Sequence, residues 1–233
     1  MEYFKLPKNT ARLIVLQRIE LTSPFLRKLR KLFGRYVFSS FITKYFLNPR
    51  NIGKEYYRVM LKEFLSIEQF INQNDKSFLS IGAGVGGLEI IINNTFKNNN
   101  YYFIERNFIS KKVRYGWGGM VNSEGYNNLE LQKDFLITNE MSESQINIFD
   151  YDKDTLPEKK FDVIISLLSL DYHYDFNLYS EYLKKISKDD TKIIFDTIRA
   201  DYFKKIFKNV NIIRSDANVV HKSKRILCSH FLN

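Results

Sequence analysis

The period of the apolar positions changes near residue 76. Before it, apolar residues recur at helical spacing. Leu13, Ile14, Leu16, Ile19 and Leu21 predict a helix over 10–21, and Leu26, Leu29, Leu32 and Phe33 predict a second, opened by Ser23-Pro24 and broken at Gly34. An aromatic-rich stretch over 36–47 stops at Asn48-Pro49, and 55–72 reads as a long amphipathic helix. Beyond 76, short apolar runs alternate with amphipathic ones. Strands are predicted at 77–82, 101–105, 146–149, 161–167, 191–197, 210–214 and 224–231, and helices at 86–96, 125–140, 176–187 and 200–208. Such alternation predicts an α/β fold: a doubly wound, mostly parallel seven-stranded sheet with helices on both faces, plus an N-terminal helical extension. The division expected is a basic helical cap over 1–54 and an α/β domain over 55–233.

The first strand, F-L-S-I, runs straight into Gly82, Gly84, Gly86 and Gly87, and a helix follows at once. Glycines at these spacings let a ligand come close to the backbone, and the new helix aims free N–H groups at it. The next strand, Y-Y-F-I, ends in Glu105, about 20 residues on, where an acid meets ribose hydroxyls. A nucleotide-type cofactor is implied. Two patterns fit: Gly82-x-Gly84-x-x-Gly87 satisfies the dinucleotide fingerprint, and Gly82-x-Gly84-x-Gly86 resembles motif I of the class I S-adenosylmethionine (SAM)-dependent methyltransferases. A bare glycine turn between strand and helix is the plainer alternative.

The second half resembles the methyltransferases more closely. I-N-I-F-D-Y-D ends a third strand at Asp150, which resembles the position of the family's adenine contact. F-D-V-I-I-S resembles the fourth-strand motif beside the methionine end of SAM. The two final strands resemble the antiparallel pair that ends the family's sheet. The resemblance covers about 55–233 and leaves 1–54 unexplained. It implies SAM as cofactor, with Ser80, Gly82, Ala83, Gly84, Gly86, Gly87, Glu105, Arg106, Phe149, Asp150, Tyr151, Ser166 and Leu167 around it. There is one departure. The family usually has an acid two residues before the first glycine, and here Ser80 stands there, able to hydrogen-bond but uncharged.

A hydroxyl acceptor needs a base. His173, in S-L-D-Y-H-Y after the fourth strand, is the candidate, with Asp171 to orient it or to act itself. The alternative is a surface or capping histidine with Asp171 opening the loop. Tyr115, Trp117, Tyr126, Asn127 and Tyr172 are candidate acceptor contacts, or else aromatics packing their own loop. Asp171, Asp175 and Asp196 are only loosely suggestive of a metal, and one Cys with three His at no ligand-like spacing predicts no metal site. The sequence has no N-P-P-Y or D-P-P-Y after the fourth strand, which disfavours adenine-N6 and glutamine methylases.

Charge alters the picture of the acceptor. Residues 1–62 hold 14 Lys+Arg against 3 Asp+Glu, net +11, while the other 171 hold 22 against 23, net −1. An anionic partner is implied. O-methylation of a small molecule under a helical cap, a sugar or a phosphorylated cell-surface precursor, is the preferred reading. RNA tracked by the basic helices is the alternative enzyme, peripheral membrane contact through 24–47 a further use, and a degenerate binding subunit the non-enzyme alternative. The lone Cys228, the lack of a long apolar run and a start without a secretory apolar core predict a cytoplasmic protein; oligomeric state is open.

Overall fold

The structure, a computed structural model, describes residues 2–38, 41, 43–97, 99–110, 125–215 and 222–232, with the side chains of 35 and 36 excepted. Candidates Tyr115 and Trp117 lie outside the described residues. Seven strands form one sheet: β1 (Ser77–Ile81), β2 (Asn100–Glu105), β3 (Ile146–Asp150), β4 (Phe161–Ser166), β5 (Ser187–Thr197), β6 (Phe207–Ser215) and β7 (Lys224–Phe231). Their order is β3-β2-β1-β4-β5-β7-β6. The pairs among β1 to β5 are parallel, and β7 runs antiparallel to both β5 and β6. The doubly wound sheet and its antiparallel final pair are as the sequence predicts.

Among the described residues, seven α-helices accompany it: α1 (Lys8–Gln17), α2 (Pro24–Val37), α3 (Thr43–Phe46), α4 (Pro49–Leu65), α5 (Gly87–Thr95), α6 (Leu129–Thr138) and α7 (Asn177–Ile186). The fourth helix begins at Pro49, six residues before the sequence predicts, because Asn48 caps it: its side chain accepts from the N–H groups of Arg50 and Asn51, and Pro49 needs no donor. Its end, predicted at 72, falls at Leu65. Gly34 breaks α2 with φ 76°.

All five residues of β1 are buried, as in a central strand covered on both faces. Successive side chains alternate between two cores. Phe78, Tyr101 and Phe103 pack under α4, α5 and the N-terminal helices with Phe4, Ile14 and Phe64. Leu79, Ile81 and Ile104 face the other way, with Phe161, Phe176, Phe195 and Phe203. The same alternation puts Ser80 and Glu105 on the α5 face. Among the described residues, no helix is long and apolar enough to cross a membrane.

Candidate active site

A cavity of about 600 Å³ opens where β1 and β4 end. The crevice lies at the carboxyl ends of parallel strands, where open α/β sheets bind ligands. Its base is the glycine turn. Gly82, Gly84 and Gly86 have φ of 69°, 66° and 86°, a region other residues seldom adopt. A Cβ on Gly82 would lie 1.9 Å from Ser169 Oγ, and one on Gly84 2.8 Å from Gln17 Oε1. The left-handed conformation favours glycine at all three, and at Gly82 the Ser169 side chain crowds out a Cβ as well. Gly86 and Gly87 stand behind the cavity wall: a Cβ on Gly86 would meet Leu136 at 2.8 Å, and one on Gly87 the Tyr56 ring at 2.7 Å.

Glu105 stands beside the turn and accepts from Gly84 N–H at 2.9 Å. Burial pushes its carboxyl up to about 8, against the opposing hydrogen bonds from Gly84, Asn127 and Ala83. Asn127 braces the turn from above, donating to Gly84 O at 2.7 Å. Gln17, the last residue of α1, donates to Tyr126 O at 2.8 Å and to Asn127 Oδ1 at 3.3 Å.

The loop after β4 forms the opposite wall. Ser166 is buried, its hydroxyl donating to Ile81 O at 2.7 Å and accepting from Leu170 N–H at 2.9 Å. Leu168 and Asp171 have φ of 55° and 59°. Left-handed residues without glycine cost roughly 1–3 kcal/mol each and persist where surroundings fix them, often at functional sites. The loop brings Leu167, Tyr172 and His173 onto the cavity wall. His173 is half-buried, with ring centroids 4.6 Å from Tyr172 and 5.8 Å from Tyr126.

Asp171 is placed differently from the expectation of an acid in the site. It is fully buried, absent from the cavity wall, and its carboxylate accepts from Thr197 Oγ1 at 2.6 Å and pairs with Arg199. Its left-handed backbone turns the side chain toward the end of β5, where it anchors the loop. Asp196 is likewise taken, by Arg225. Among the described residues, no three His, Cys, Asp or Glu are grouped to hold a metal ion.

The remaining candidates divide. Gly82, Ala83, Gly84, Glu105, Ser166 and Leu167 line the cavity, as do Tyr126, Asn127, Tyr172 and His173. Arg106 and Tyr151 line a separate crevice of about 10 Å³ behind Glu105, the guanidinium 5.0 Å from the Tyr151 ring. Phe149 and Asp150 line neither. Asp150 accepts from Asp152 N–H at 3.2 Å and lies 3.6 Å from Lys153 Nζ. Ser80 is buried beneath the turn and donates to Glu89 Oε1 at 2.6 Å.

Several wall residues escaped the sequence reading. Gln17 and Arg18 at the end of α1, Arg30 on α2, Tyr56 and Glu63 on α4, and Glu89 on α5 all contribute. Only Glu89 left a signal, as the lone charge in the apolar helix start G-L-E-I-I-I. The others come from elements whose docking on the sheet no local pattern encodes.

No protein-family profile matches the chain, and no curated protein matches it. Solved structures do, distantly. Mitomycin 7-O-methyltransferase MmcR is 14% identical with a TM-score of 0.49, over 94% of this chain and 60% of its own. Human N-acetylserotonin methyltransferase, solved with SAM, is 12% identical with a TM-score of 0.41, over 76% of this chain and 56% of its own. A precorrin-6y C5,15-methyltransferase from Geobacter metallireducens is 15% identical with a TM-score of 0.45, over 74% and 87%. The chain thus spans about three fifths of the length of MmcR. Its own sheet, with the order 3-2-1-4-5-7-6 and β7 reversed, gives it the class I methyltransferase fold.

Proposed function

We propose that the protein is a SAM-dependent methyltransferase that acts on a hydroxyl of a small anionic acceptor, a sugar or a phosphorylated precursor. One observation carries this reading. The left-handed glycine turn, the Glu105 carboxylate and His173 meet around one cavity at the strand ends. The residues fit the cofactor: Gly82 and Gly84 hold the left-handed backbone of the turn on the cavity wall, and Glu105 is a buried acceptor at the ribose position that the methyltransferase resemblance implies. Glu105 would hold the ribose hydroxyls, and Ser166 and Leu167 would flank the methionine end.

SAM supplies a methyl carbon activated by a sulfonium. The protein's work is to position the acceptor, exclude water and take a proton. His173 accepts the acceptor hydroxyl's proton as the oxygen attacks, its ring held between Tyr126 and Tyr172. Asp171 fixes the loop that carries it. The basic surplus over residues 1–62 supports an anionic acceptor. Gln17 to Glu20 and Arg30 bring part of that region to the cavity wall, where Arg18, Arg30 and Arg214 stand beside Glu20 and Glu63.

Calorimetry with SAM, S-adenosylhomocysteine and NADH, followed by transfer of labelled methyl into a panel of sugar phosphates, tests the reading. Binding of either SAM species is expected. Binding of NADH alone would defeat it.

A further inference from the structure

Ser80 stands where class I methyltransferases usually carry an acid, yet a carboxylate is present at this spot from another element. Ser80 Oγ donates to Glu89 Oε1 at 2.6 Å. Glu89 lies in the first turn of α5, is 2% exposed, and lines the cavity next to Gly84 and Leu88. Its other oxygen, Oε2, has no hydrogen-bond partner. A buried carboxylate oxygen left unmatched is costly and points to a missing cation or donor.

On the reading that the cavity binds SAM, we infer that Glu89 is the receptor for the ammonium of the cofactor's amino-acid end, with Ser80 as its positioning residue. The acid has moved from strand to helix, and the hydroxyl at 80 holds it in place. The helix N-terminus favours the charge.

The electrostatics of the site suit this role. Burial pushes the Glu89 carboxyl up to about 7, against the Ser80 hydrogen bond. Tyr56 on α4 and Tyr101 and Glu105 on β2 are the titratable groups that feel its charge. An arriving ammonium favours the ionised form, so a proton leaves as the ligand binds.

The experiment compares two nucleosides that share adenine, ribose and sulfur. S-adenosylhomocysteine carries the amino-acid end, and 5′-methylthioadenosine lacks it. Titrations at pH 7 in buffers of different ionisation enthalpy give affinity and protons released. The wild type should prefer S-adenosylhomocysteine and release about half a proton more with it, Glu89 being half protonated at a value of about 7. Glu89→Gln should lose about 10- to 100-fold in affinity for S-adenosylhomocysteine, as for a charged hydrogen bond, and keep its affinity for 5′-methylthioadenosine. Retained nucleoside binding also reports that the variant is folded. Equal proton release by the two ligands in the wild type would overturn the inference, whatever the variant does. So would an unchanged preference in Glu89→Gln. A wild type that binds neither nucleoside would instead remove the cofactor reading itself.

Discussion

Arg225 and Asp196 form a two-pronged ion pair inside the protein, Nε to Oδ1 at 3.0 Å and Nη2 to Oδ2 at 2.9 Å, with both side chains fully buried. Arg225 Nη1 also lies 2.7 Å from Glu63 Oε2 and donates to Ser66 Oγ at 2.6 Å. One guanidinium therefore joins β5, β7 and α4 at the edge of the cavity. Removing the sole partner of a buried charge costs roughly 3–5 kcal/mol. Glu63 remains beside Arg225 when Asp196 is removed, so the loss should fall at or below the lower end of that range. Asp196→Ala should show that loss in urea titration, and an effect below about 1 kcal/mol would mean the pair is hydrated.

Glu105 sets function against stability. Its carboxyl is raised above the unfolded value, so its contribution is fully present below about 4.5 and is lost as pH rises through about 8. Glu105→Gln should therefore be more stable than the wild type at pH 8, nearly equal to it at pH 4.5, and flatter in between. The same substitution should weaken SAM binding at pH 7 by about 0.5–1.5 kcal/mol, as for a neutral hydrogen bond, since the carboxyl is then largely protonated. Melting curves across pH, without ligand, check the sign.

His173→Ala should lower turnover by about 10²- to 10⁴-fold and leave SAM affinity nearly unchanged. Single-turnover rates with calorimetric affinities separate the two. Unaltered turnover would remove His173 from the mechanism.

The basic residues of α2 should not act alike. Arg30 lines the cavity, while Arg27, Lys28 and Lys31 are exposed. Arg30→Gln should raise KM for an anionic acceptor, and the triple Gln variant of the other three should leave it within about threefold, as surface charges act weakly. Phe25 and Leu32 on this helix are 66% and 75% exposed. Salt-sensitive binding to vesicles with anionic lipid, lost in the triple variant, would assign the outer face to a membrane surface. RNA binding that persists at physiological salt would replace the small-molecule acceptor.

Much of this was legible in the chain. The glycine turn and Glu105 are local signals, since φ, strand period and spacing are written in neighbouring residues. Strand ends at 81, 105 and 166 fall within one residue of the sequence reading. Asp171 shows where such reading stops. Its sequence neighbourhood put it in the site, but its left-handed φ and its Thr197 and Arg199 partners, 26 and 28 residues away, turn it elsewhere. Gln17 reaches Asn127 across 110 residues, and no periodicity reports a contact of that length.

The sheet order has a consequence for synthesis. Among the described residues β6 pairs with β7 alone, yet the ribosome delivers β6 first. Until residues 224–231 emerge, β5 has an open edge and β6 has no strand to hold it, so Arg214, which β6 carries and which pairs with Glu63 and Asp196, is not yet fixed. The sheet is therefore complete only once its last strand has docked. A nascent chain interrupted before β7 carries a bare sheet edge for chaperones or proteases to recognise.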